Sequence, residues 1–458
     1  MKNLTIIIFT LLLFSCQNKE KEIRILFTGD ILLSRNVKEE YTFRKTSPWE
    51  ELTPLFKSAD LVIGNLEGAV GHANQAVCPE VMAPVFPIDS CDISLLHKAG
   101  FKHITIENNH ILDLGKEGKN NTVSALLNNG IEPVSFENSP HFIRTKGVVV
   151  SIVAVNTVMN RDSTKQMIPS IELKQKLRLA GKLSNLVVVS IHWGSEFLEW
   201  TNEEQREAAK WLIAHGADII IGSHPHVVQP PELIDGKPVF FSLGNHLFDQ
   251  KYPATKEGVI AEIVIKNNKY HCSALKTQTK KNSFYPELNG KYPFKSKPQP
   301  LRELLTINGY TIIPQSIPEK NQTVLLGCKA DRMIWHSHPM PLSTIGSHRL
   351  DGENEYLFTL ERHYSTLDKE INLRPYVYSV DHYGLLSRWR GSALAWPLLD
   401  AEISPLDDKT LCALHRGDSY IMPDKTQNNL RVAAYQWNSF GFKGVNDSVA
   451  CRECTFPF

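Results

Sequence analysis

From residue 22 to about residue 279, short Val/Ile/Leu runs alternate with stretches whose apolar residues recur at helical spacing. The runs at 23–28, 61–64, 103–106, 148–155, 186–191, 219–222 and 239–243 are almost continuously apolar, as strands covered on both faces require. Helical spacing marks 92–99, 122–129, 171–183 and 203–215. Strands alternating with helices predict a layered α/β domain over 23–279. Two later runs, 258–266 and 270–277, flank Asn267-Asn268 and predict a hairpin.

The pattern then changes. Residues 280–300 are mostly Lys, Pro, Asn, Gly and Ser with scattered aromatics, and read as a linker. Residues 301–458 show no helical periodicity and predict a smaller all-β domain. This part carries an internal similarity, in which E-Y-L-F-T-L-E-R at 355–362 recurs as K-T-L-C-A-L-H-R at 409–416. Arg374, Tyr378 and Gly384 recur as Arg431, Tyr435 and Gly441, and Trp335 and Trp389 precede the two copies. Two repeat-like units of this kind fit propeller-type blades or a repeated sandwich half. The aromatics Trp335, Trp389, Trp396, Tyr435 and Trp437 can form the core of such a domain or meet partners at the envelope.

The first sixteen residues change the cellular picture. Lys2 precedes an apolar run from Leu4 to Phe14 that is too short to span a bilayer and reads as a signal-peptide core. It ends L-F-S-C, which resembles a bacterial lipobox, with Cys16 as the acylated residue and 17–22 as a polar tether. The expected location is therefore the cell envelope, lipid-anchored, with the folded part in water. The alternative is an ordinary secretory signal with a chance cysteine. Lys plus Arg total 50 against 49 Asp plus Glu, a net charge of +1, so no global field favours nucleic acid. Of eight cysteines, Cys451 and Cys454 form a lone C-x-x-C pair, too few for a zinc site and better read as a local disulfide or two free thiols.

Polar clusters stand where the apolar runs of the first domain end. They are Gly29-Asp30, Asn65-Leu66-Glu67, Asn108-Asn109-His110 with Asp113, His192-Trp193-Gly194 with Glu196, Ser223-His224-Pro225-His226, and Gly244-Asn245-His246. The carboxyl ends of parallel strands gather along one rim, where ligands bind. Imidazole, carboxylate and amide oxygen without thiolate suit one or two divalent transition ions such as Mn²⁺, Fe²⁺ or Zn²⁺. Such ions activate water and clamp a phosphoryl group. Any one cluster alone could be turn or cap chemistry.

The strings F-T-G-D-I-L-L-S-R, N-L-E-G, N-N-H-I-L-D-L-G-K-E-G, H-W-G-S-E-F, G-S-H-P-H-V-V-Q and F-S-L-G-N-H-L-F-D-Q resemble, in order, the motifs of the CapA (poly-gamma-glutamate capsule biosynthesis) family. That family is similar to calcineurin-like metallophosphoesterases, so the resemblance implies a four-layer α/β/β/α sandwich. It implies Asp30, Glu67, Asn109, His192, His224 and His226 as metal ligands and His110 as the catalytic group. Asn65, Asp113 and Glu196 would contact substrate or support the ligands. Two departures stand out. Asp30-Ile31-Leu32 replaces the phosphoesterase Asp-x-His, and Asn65-Leu66-Glu67 replaces the motif that supplies a bridging Asp. The functions implied are a metal-dependent hydrolase or transferase acting on a phosphoester or an exported anionic polymer, or a non-catalytic factor that holds that polymer.

Overall fold

The computed structural model describes residues 22–78, 83–330, 332–365, 369–391, 394, 398–416, 430–445, 449–454 and 456. Cys16, the signal segment, most of the tether and Trp396 lie outside the described residues. Among the described residues, no helix is long and apolar enough to cross a membrane.

Two sheets form the first part of the chain. The strands are β1 (Ile23–Leu32), β2 (Leu61–Glu67), β3 (His103–Thr105), β4 (Glu132–Val134), β5 (His141–Thr145), β6 (Val148–Asn156), β7 (Leu186–His192), β8 (Ile219–Ser223), β9 (Glu232–Ile234), β10 (Lys237–Phe240), β11 (Asn245–Leu247), β12 (Glu257–Lys266), β13 (Lys269–Thr279), β14 (Pro286–Lys295) and β15 (Gln299–Pro300). The first sheet runs β14-β13-β12-β1-β2-β3-β4, with β11 also on β1 and β15 on β13. The second runs β9-β10-β8-β7-β6-β5. β1, β2, β3 and β4 are mutually parallel, as are β6, β7, β8 and β10.

The near-continuous apolar runs are explained by what covers them. Ile25, Phe27 and Ile63 of the first sheet share one buried cluster with Ile152, Val188 and Ile221 of the second, so these faces pack together. The outer face of the first sheet is closed by α1 (Arg35–Arg44), α2 (Thr53–Lys57), α3 (Ile93–Ala99) and α4 (Gly115–Asn128) through Val37, Phe56, Leu96 and Leu126. The outer face of the second is closed by α5 (Ile171–Leu183) and α6 (Glu203–Ala214) through Leu173, Leu177, Ala209 and Leu212. The chain is thus a mixed α/β, sheet-rich structure with a β-rich C-terminal region. At α6, Asn202 accepts from Gln205 N–H at 2.8 Å while the Gln205 side chain accepts from Asn202 N–H at 3.1 Å. This reciprocal cap fixes where the helix begins.

Two sequence expectations need correction. Residues 280–300 are not a linker, since β14 pairs antiparallel with β13 and β15 returns to the same strand. Tyr292 and Phe294, two residues apart, turn one face of this edge strand onto the core between the sheets. The second correction concerns cysteine. Cys451 bonds Cys412, on the strand Thr410–Arg416, and Cys454 is free.

Among its described residues, the C-terminal region holds three four-stranded antiparallel meanders, within 306–336, 342–390 and 398–445. The two similar segments seen in the sequence occupy equivalent strands of the second and third. The first meander lacks the repeated string. Trp335 is buried, and Trp389, Tyr435 and Trp437 pack against a shared cluster, so these aromatics serve the β core. The region also shares a core with the α/β part, in which Phe142, Val149, Leu179 and Leu183 pack with Ile307, Tyr310 and Leu325.

Candidate metal centre

The parallel strands of both sheets deliver their carboxyl ends to one rim. Asp30 near the end of β1 stands in register with Asn65 on β2 and Asn245 on β11. His192 ends β7 beside Ser223 at the end of β8. The close packing here depends on Gly29. A Cβ at that position would lie 1.9 Å from the Gly244 carbonyl oxygen, which accepts the Asp30 N–H at 3.1 Å. Gly29→Ala must part β1 from β11 and tilt Asp30. We expect it to cost about 3 kcal/mol in denaturant melts, against under about 1 kcal/mol for an unconstrained site.

Asp30 and Glu67 are both fully buried. Asp30 accepts from Asn65 Nδ2 at 2.9 Å and from the His224 N–H at 3.2 Å, and its Oδ2 lies 3.3 Å from His226 Nδ1. Glu67 differs, because neither carboxylate oxygen has a hydrogen-bond partner. Its oxygens lie 3.8 Å from His226 Nε2 and 4.0 Å from His192 Nε2. His192 is oriented by Ser223 Oγ at Nδ1, and its Nε2 meets Asn109 Oδ1, both at 2.9 Å. The His192 and His224 rings are 4.7 Å apart, and His224 Nδ1 is buried without a partner. His224 and His226 sit at φ 97° and 59°, left-handed backbone that a non-glycine residue adopts at a cost.

Asp30, Glu67, Asn109, His192, His224 and His226 therefore converge. Glu196 joins His224 and His226 from the exposed side of the rim. Asn65 holds Asp30 and is itself held by Thr105 at 3.3 Å and Asn108 at 3.2 Å. His110 Nδ1 bonds Asp113 Oδ2 at 2.9 Å, and its ring stacks on Phe86 at 4.0 Å. Asp113 also accepts the Phe86 N–H at 2.9 Å and faces Arg161 Nε at 3.5 Å. His246 points elsewhere. Its neighbour Asn245 bonds His226 at 3.0 Å, and strand alternation turns His246 towards Phe56 and Phe101.

Sequence reasoning assigned no role to Ser223, Asn245, Phe86, Arg161 or Arg35. The first two lay inside motif clusters. Phe86 and Arg161 had no signal, because their partners are distant in the chain. Arg35 closed the first motif string. It pairs with Asp249 and lies over the Phe86 ring at 5.1 Å, and the same ring stacks on His110.

Electrostatics mark this centre as short of positive charge. Burial pushes the Glu67 carboxyl well above its ordinary range, and neighbouring Asp30 adds to the shift. Burial works to lower His226, but Glu67 and Asp30 outweigh it and hold the imidazole up at about 9. Burial and then neighbouring imidazoles push His224 down to about 3 and His192 well below the usual range. The donor set, the orphaned Glu67 oxygens and the neutral imidazoles fit a divalent cation, because each is costly where no ion or donor meets it. Loading must then expel the protons held by His226 and Glu67. Calorimetry in buffers of different ionisation heat should show net proton release, and affinity should rise about tenfold per pH unit for each proton displaced, up to about pH 9.

The family that this α/β domain matches belongs to the metallophosphoesterase-like superfamily. More narrowly, residues 24–250 match the family described as bacterial capsule synthesis protein PGA_cap, and this part of the chain is similar to the CapA proteins. It is 27% identical over 258 residues to the PGA biosynthesis protein CapA of Bacillus subtilis, covering 53% of this chain and 67% of that one. It is 28% identical over 275 residues to the capsule biosynthesis protein CapA of Bacillus anthracis, covering 55% and 66%. The chain thus matches about two thirds of the length of each relative.

Proposed function

We propose that this protein is a metal-dependent hydrolase or transferase acting on capsule polymer of the poly-gamma-glutamate type, held at the cell envelope by a lipid on Cys16. The relatives named for capsule biosynthesis support the setting. The two packed sheets with helices outside support a four-layer α/β/β/α reading. One observation carries the chemistry: a fully buried, unpartnered Glu67 carboxyl group faces imidazoles from two strand ends, with the His110–Asp113 pair close by.

Asp30, Glu67, Asn109, His192, His224 and His226 would hold one or two divalent transition ions. A bound ion supplies Lewis acidity towards an acyl or phosphoryl oxygen. Asp113 fixes the His110 ring through Nδ1, which leaves Nε2 as the nitrogen that exchanges a proton with a leaving group. Asp113 is itself fixed by the Phe86 amide, so the proton is held at a defined place. The exposed Glu196 and the half-exposed Arg35 would meet substrate at the rim.

A second reading, a non-catalytic polymer-holding factor, is favoured by one feature. Leu32 stands where phosphoesterases carry an imidazole, and it is buried in the core under the helices. His110→Gln separates the two. The full chain and the variant are compared for metal content, for polymer binding, and for cleavage of poly-gamma-glutamate and a simple phosphoester. Retained metal and binding with turnover reduced at least about a hundredfold supports the enzyme. Metal and polymer binding without turnover in either protein supports the holding factor.

A further inference from the structure

At the opposite ends of the same strands lies a second group of metal-type side chains outside the CapA motifs. His103 opens β3, Glu132 opens β4, and the parallel register sets the two side by side. His141 opens β5, the edge strand of the other sheet. His141 Nε2 is 3.2 Å from His103 Nδ1 and 3.1 Å from Glu132 Oε2, and His103 Nδ1 is 3.9 Å from Glu132 Oε2. Both imidazoles are buried, while Glu132 is half-exposed and leaves the group open to water.

We propose that His103, His141 and Glu132 form a structural site for a divalent transition ion of the zinc class, clamping the two sheets at their common edge. Ligands 2.0–2.1 Å from a tetrahedral ion stand about 3.3–3.4 Å apart, and the three observed separations bracket that edge length. Two imidazoles and a carboxylate, with water in the fourth position, form a set that zinc accepts. Without an ion, one ring nitrogen of the His103–His141 contact must donate to the other, and His141 Nδ1 stays buried without a partner among the described residues. A cation serves all three atoms.

The test uses the full chain, stripped with chelator and dialysed against zinc alone. Glu132→Gln is the main variant, since a half-exposed side chain can change without loss of the fold, and near-ultraviolet circular dichroism checks this. Asp30→Asn provides a background in which the first centre is disabled. We expect elemental analysis to find one zinc equivalent fewer in Glu132→Gln than in wild type, with the same difference in the Asp30→Asn background. Zinc should raise the melting temperature of Asp30→Asn and leave Asp30→Asn/Glu132→Gln unmoved. Equal zinc in folded Glu132→Gln and wild type, or no zinc-dependent melting in Asp30→Asn, overturns the proposal. Neither result bears on the first centre, whose failure would appear as undiminished metal in Asp30→Asn alone.

Discussion

Asp30→Asn should lower metal affinity at least about a hundredfold and bring turnover to background while the protein stays folded. The side chain is fully buried, with one oxygen fixed by Asn65 and the other by the His224 amide and the His226 ring. Asparagine keeps the shape and removes the charge, so the loss falls on the cation rather than on packing. In the metal-free protein, Asp30 accepts from Asn65 and the His224 amide and holds His226 protonated, so asparagine, which turns an N–H against one of these donors, should lower stability by about 1–3 kcal/mol without unfolding the protein. Asp113→Asn provides the contrast: metal content should stay at the wild-type level while turnover falls, because Asp113 touches only His110 among the proposed acting groups. Elemental analysis and turnover on both variants decide the matter. Wild-type metal content in Asp30→Asn would remove the first centre as the seat of the cation.

The second large effect concerns stability. His246 is buried among Phe56 and Phe101 with both ring nitrogens unpartnered, and burial pushes it down to about 3. The folded state therefore holds the neutral ring, whereas the unfolded imidazole titrates near 6.5. Its contribution is intact above about pH 6.5 and drains away as pH falls towards 3, a loss of about 5 kcal/mol once the unfolded ring alone is charged. His246→Phe removes that drain and two unsatisfied polar atoms, the latter worth about 1–3 kcal/mol at neutral pH. Urea melts at pH 7.5 and 4.5 should show the variant ahead at both, with a wider margin in acid. A margin that narrows in acid would contradict this account. Other buried imidazoles also lose stability in acid, but they do so equally in both proteins.

Much of this was legible in the sequence because burial on two faces writes itself as continuous apolar runs. The run at 219–222 became β8, and the spacing at 171–183 matched α5 residue for residue. The candidate site was legible because each donor stands just after such a run, so the parallel strands themselves bring the groups together. What failed has equally definite causes. α1 buries only Val37 and Tyr41, too thin a stripe to stand out. α4 starts at Gly115, seven residues before its apolar spacing becomes evident, because its first turns carry Gly, Lys and Asn. β14 is a lysine-rich edge, and only the alternation of Tyr292 with Phe294 betrayed it. The first meander lacks the repeated string, and the Cys412–Cys451 bond joins positions that no spacing rule connects.

One helix ties these levels together. Leu179 and Leu183 of α5 pack into the first meander, Gln175 donates to Leu399 O at 2.9 Å, and Arg178 grips Asp400 and Glu402 at 2.6 and 2.9 Å. Its other side covers the second sheet, whose strand β7 ends in His192. The C-terminal third is thus no pendant that can be trimmed away to obtain a simpler α/β fragment. Cutting the gene after Thr279 would lay bare leucines and an arginine that now face partners, and would leave the outer strand of the first sheet without its neighbour.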